Sequence, residues 1–74
     1  YQALAADRTA PTILNAANEV AVAAFLDHRI PYLAIPDTLA ACLDRLADRR
    51  ADSLDELEAL DRETRALAAK IATP

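Results

Sequence analysis

Between Thr12 and His28 the apolar positions fall in two adjoining stripes, Ile13, Ala17, Val20 and Ala24 in one and Leu14, Ala21 and Phe25 in the other. Both repeat at helical spacing, so the segment predicts a helix that is apolar around most of its circumference and belongs in the centre of a bundle. Val20 and Val22 would also suit a buried strand, but the surrounding alanines and a run longer than about 10 residues select the helix. Further on, Leu39, Leu43 and Leu46 stand at i, i+4 and i+7 with Cys42 beside them, the pattern of an amphipathic helix. Pro36 suits the first position of that helix, and Asp37 the positive end of its dipole. In the last third, Leu57, Leu60, Thr64, Leu67 and Ile71 repeat at steps of three and four, while Glu58, Arg62, Glu63, Arg65 and Lys70 occupy the outer arcs.

The connections follow from the residues between these patterns. Ser53-Leu-Asp-Glu56 is a capping box, in which the Ser53 hydroxyl takes the amide of Glu56 and the Glu56 carboxylate returns to the amide of Ser53. A helix therefore starts there and runs to about Ala72, ahead of Pro74. Ala47 to Asp52 holds no large apolar side chain and reads as a charged loop or a frayed helix end. Ile30 to Pro36 carries two prolines and a partial alternation, which predicts an extended connector packing Ile30, Tyr32 or Leu33, and Ile35 against the helices. Tyr1 to Ala6 is rich in helix formers but opens without a cap and stops near Pro11, the pattern of a helix end. The sum is an all-α chain, a small antiparallel helical bundle of three helices plus the end of a fourth.

Composition narrows what such a bundle does. The 74 residues are 54% hydrophobic and include no glycine, so positive backbone φ angles in hairpin turns have no cheap residue and an all-β fold is excluded in practice. The net charge of −4 has the wrong sign for tracking a nucleic-acid backbone. The longest apolar run, Val20 to Leu26, falls far short of the roughly 20 residues a membrane span needs. A single cysteine, Cys42, makes no internal disulfide, which leaves a cytoplasmic location as the default. Without any methionine the sequence reads as a piece of a longer protein.

The inventory for chemistry is thin. His28 and Cys42 are the sole residues of their types and lie on different segments, so a nucleophilic pair has no local support; the plain readings are a residue at a helix C-terminus and a small buried side chain. Asp52, Asp55, Glu56 and Glu58 crowd a helix start, where the dipole accounts for them without a metal. No zinc or calcium spacing occurs, and a phosphate loop is excluded by the missing glycines. One set resists a plain reading. Asn15, Asn18 and Glu19 stand at i, i+3 and i+4 on the apolar helix, on a stripe continued by Val22 and Leu26. Unpaired polar groups on a buried face are costly, so these three either clamp neighbouring backbone or face another domain. Asp61 and Arg65, at i and i+4, are placed for an intrahelical ion pair, on the solvated surface or as part of a clamp across the bundle.

The run from Ala10 to Leu26, with Leu-Asn-Ala-Ala-Asn-Glu at Leu14 to Glu19, closely resembles the opening of the C-terminal helical domain of the 1-deoxy-D-xylulose 5-phosphate reductoisomerase family. Ile30, the aromatic Tyr32, Ile35-Pro36, Ser53-Leu54 and the spaced Asp61, Arg65 and Ala68 extend the resemblance over essentially the whole chain. One departure is Asp7-Arg8, where relatives often have glycines. The resemblance implies a cytoplasmic, homodimeric parent of the non-mevalonate isoprenoid pathway that rearranges its sugar phosphate and reduces the product with NADPH, assisted by Mg2+ or Mn2+. It places the dinucleotide fold and the metal and phosphate ligands in N-terminal and central domains that have no counterpart here. Residues 1–74 would then be the C-terminal domain, with no catalytic, cofactor or metal residue of its own, bracing the catalytic part through Asn15, Asn18 and Glu19. The competing expectation is a free-standing acidic helical module that offers the same surface to a partner protein.

Overall fold

The computed structural model describes residues 8–72. Three helices make up the described chain: α1, Thr9–Leu26; α2, Ala34–Arg45; and α3, Leu54–Ile71. The helix end expected over Tyr1 to Ala6 lies outside the described residues. The fold class is all-α, as the periodicities predict, and α1 is the central helix, in broader contact with α2 and with α3 than those two are with each other.

The start of α1 differs from expectation. It begins at Thr9 rather than Thr12, with Pro11 as its third residue. The first helical amides have no intrahelical acceptor, so a proline there removes no bond, and the ladder opens with the Thr12 amide donating to the Arg8 carbonyl at 2.9 Å. Arg8 itself has φ −92, so it needs no glycine.

At the other end α1 stops at Leu26, ahead of the expected His28, in a Schellman turn. The His28 amide donates to the Phe25 carbonyl at 3.0 Å and the Arg29 amide to the Ala24 carbonyl at 2.9 Å, with His28 in the left-handed region at φ 61. In a chain without glycine this histidine takes the conformation that glycine usually supplies.

The link to α2 is tighter than the extended connector predicted. Ala34 donates to the Pro31 carbonyl at 3.0 Å and Ile35 to that of Tyr32 at 3.1 Å, so a turn feeds the helix two residues before Pro36. This turn breaks the alternation. Ile30 and Ile35 are half-buried, while Tyr32 and Leu33 at its apex are 66% and 75% exposed. Along α2 the buried line is Thr38, Cys42 and Leu46, with Leu39 and Leu43 half-buried on its flank. The face is thus rotated from the leucine stripe the spacing suggests. The reason lies on α1, whose buried face is Ile13 with Ala16, Ala17, Ala21 and Ala24. Alanines admit close approach, so the small Cys42 enters the core with Ile13 and Ala17, while Leu39 and Leu43 pack against its edge.

Leu57, Leu60, Thr64 and Ala68 line the buried face of α3, with Leu67 and Ile71 packed against the core. Thr38 and Thr64 are buried polar residues, and each is satisfied within its own helix. The Thr38 hydroxyl donates to the Ala34 carbonyl at 2.8 Å, and the Thr64 hydroxyl to the Leu60 carbonyl at 2.7 Å. The loop after α2 is tied down by a two-pronged contact, Arg49 Nη1 to Glu63 Oε1 at 2.7 Å and Nη2 to Oε2 at 2.6 Å. In the same loop Ala51 is buried and joins the core.

Candidate docking face of the first helix

The face of α1 turned away from α2 and α3 carries the residues that the sequence singles out. Asn15, Asn18 and Glu19 are exposed, Val22 is half-buried, and Leu26 is 68% exposed. The three polar residues do not act alike. Glu19 reaches across to α3, where its Oε1 accepts from Arg65 Nη2 at 2.9 Å. Asn15 and Asn18 point outward and make no side-chain hydrogen bond among the described residues. Among the described residues neither asparagine side chain bonds neighbouring backbone. Their hydrogen-bonding capacity faces outward.

Arg65 joins the two helices. Its Nε donates to Asp61 Oδ2 at 2.8 Å and its Nη2 to Glu19, so one guanidinium holds two carboxylates from different elements. These hydrogen bonds, from Asp61 and then Glu19, push the Arg65 pKa up from its already high ordinary value, and the side chain stays charged. Because the pair is solvent-accessible it adds little stability; it links the two helices at the edge of the interface whose buried faces set their rotation.

At the start of α3 the Ser53 hydroxyl accepts from the Glu56 amide at 3.1 Å, with Asp55 and Glu56 at the positive end of the dipole. The Glu56 carboxylate departs from the reciprocal box. It accepts from the Asp52 amide at 2.6 Å, one residue before Ser53. With Ser53 extended at φ −146 and ψ 165, the preceding amide is the one within reach.

The remaining candidates do not form a site. Cys42 is buried between the helices, and that burial raises its thiol pKa, against a weaker lowering by Arg45. It is a packing residue held neutral. His28 serves the turn after α1. Among the described residues no group of three His, Cys, Asp or Glu is placed to hold a metal ion, and the donor set does not fit one. No described helix is long and apolar enough to cross a membrane. The Arg49–Glu63 contact has no local signal in the sequence, and the alternation that expects Tyr32 or Leu33 to pack against the helices gives way to a turn that leaves both largely exposed. Both depend on how separate elements meet, which helical spacing does not encode.

Comparison with known proteins decides the family. Residues 1–67 match the family described as DXP reductoisomerase C-terminal domain. The chain belongs to that family. A 1-deoxy-D-xylulose 5-phosphate reductoisomerase from Methylococcus capsulatus is 49% identical over 70 residues, a stretch covering 95% of this chain and 18% of that protein. The Bacillus subtilis protein of the same name is 48% identical over 65 residues, 88% of this chain and 17% of the relative. One from Shewanella amazonensis is 56% identical over 59 residues, 80% and 15% respectively. The chain thus spans less than a fifth of the length of the curated relatives it matches. No solved structure matches it.

Proposed function

We propose that this bundle is the C-terminal brace of an enzyme that converts 1-deoxy-D-xylulose 5-phosphate to 2-C-methyl-D-erythritol 4-phosphate in the cytoplasm, for the non-mevalonate route to isoprenoids. The observation that carries the reading is the family match across residues 1–67, together with relatives more than five times the length of the aligned stretch. In this reading the reaction's NADPH and its Mg2+ or Mn2+ are held by the N-terminal and central domains of the parent, a homodimer, and no step of the reaction passes through residues of this chain. What the chain supplies is a rigid surface. The outer face of α1 offers donors and acceptors at Asn15 and Asn18 and apolar area at Val22 and Leu26, while the Arg65 clamp through Glu19 links α1 to α3. A contact of standard size would bury about 800 Å² on each side.

The test separates brace from catalyst. The 74-residue chain alone, given the sugar phosphate, NADPH and Mg2+, is expected to oxidise no cofactor, whereas the long reductoisomerase chain carrying it turns over. Oxidation above a protein-free blank by the short chain would overturn the assignment.

A further inference from the structure

We infer that the turn between α1 and α2 is a second, apolar anchor of this domain, docking through Leu26, Tyr32 and Leu33 onto the preceding part of the same polypeptide. The inference rests on the brace reading and extends it beyond the asparagine face to the turn that follows Leu26.

Three observations point to this use. First, these are the three most exposed large apolar residues in or next to one short turn, at 68%, 66% and 75%. A connection serving only to reverse the chain would be polar at its apex. Second, the turn is held fixed. His28 adopts φ 61 to close the Schellman bonds, Pro31 and Pro36 bracket the apex, and Ala34 and Ile35 bond back into it. The Tyr32 ring packs edge-on against Phe25, with centroids 5.5 Å apart and planes at 68°. An apolar tip held in one conformation loses little further freedom on binding, which is the property of an anchor residue. Third, the neighbouring charges cancel, because Arg29 Nε lies 3.1 Å from Asp27 Oδ2. Covering the tip therefore need not strand that pair.

The occupant follows from continuity and chain length. Leu26 is the last residue of the stripe that runs through Asn15, Asn18 and Val22, so a body seated on the α1 face reaches the turn next. The relatives place more than four fifths of their length outside the stretch that matches this chain. A surface tethered in the same polypeptide has an effective concentration of order mM, far above that of a second copy or a separate protein.

Single-cysteine reporters test this, in a long reductoisomerase chain whose native cysteines, Cys42 included, are replaced by alanine. Leu33→Cys and Asn18→Cys are each treated with a maleimide in the native state and in unfolding urea. Both native rates are expected to be at least roughly tenfold slower, independent of protein concentration. Free labelling at Leu33→Cys with protection at Asn18→Cys would overturn the anchor and leave the brace reading standing. Free labelling at both would remove the brace reading itself. Protection at Leu33→Cys that disappears on dilution would assign the turn to a second copy and overturn the proposal. As an independent arm, Tyr32→Ser with Leu33→Ser is expected to speed labelling at Asn18→Cys several-fold while helix content by circular dichroism is unchanged. An unchanged rate would also contradict the anchor.

Discussion

Helices α1 and α3 are both 18 residues long, yet they are held by different means. α3 carries its own instructions: a serine cap, two acidic residues in the first turn, a lysine in the last, and one apolar face. α1 has no side-chain cap, no acid in its first turn and no base in its last. It exists as a helix because its neighbours hold it. Most helical stability in a folded protein comes from tertiary packing, so packing of the alanine face against α2 and α3 supplies what local signals do not. The same helix then leaves Asn15, Asn18 and Leu26 outward. In the brace reading proposed above, this open side is where the rest of the polypeptide would lie.

Substitutions can break that contrast in order of size. Leu60→Ala empties a core position on α3 that is 5% exposed, and thermal or urea unfolding should show a loss of about 3 kcal/mol. Ser53→Ala tests the locally specified helix and should lower stability by about 1 kcal/mol in urea titration, an effect with no equivalent at Arg8, where no side chain caps α1. His28→Gly sharpens the other side of the comparison. Relief of the left-handed φ, partly offset by greater freedom in the unfolded chain, should raise stability by about 0.5 kcal/mol. Arg65→Gln is the smallest in stability, because the ion pairs are solvent-exposed. Its difference from the parent chain in melting temperature should shrink further as salt is raised, and a difference that persists in high salt would show that the clamp acts through packing.

The same contrast governs what could be read from residues alone. The periodicity of α3 and its Ser53 cap are local, and both are legible within a few positions of sequence. The Asn15, Asn18 and Glu19 set stands out because polar side chains interrupt an apolar helix, and spacing puts them on one stripe. That Glu19 turns to Arg65 while the asparagines turn outward depends on the rotation of α1 against α3, a tertiary fact. The buried line of α2 runs through Cys42 with Leu39 and Leu43 at its edge for a related reason, since the small residues of α1 allow a small side chain at the centre of the contact. The partial alternation of the connector assigns Tyr32 or Leu33 to the packed side, and the turn there leaves both largely exposed. Composition does not distinguish a side chain hidden by its own domain from one reserved for another.

The central claim is that the outer face of α1 contacts the rest of the enzyme. Its most direct test is the double substitution Asn15→Ala with Asn18→Ala, measured for unfolding stability both in the 74-residue chain and in the long reductoisomerase chain. With both side chains exposed and unbonded, the short chain should change by less than about 0.5 kcal/mol, and the long chain should lose roughly 1 to 3 kcal/mol as two hydrogen-bonding groups disappear from a covered face. Equal effects in the two chains would contradict the account.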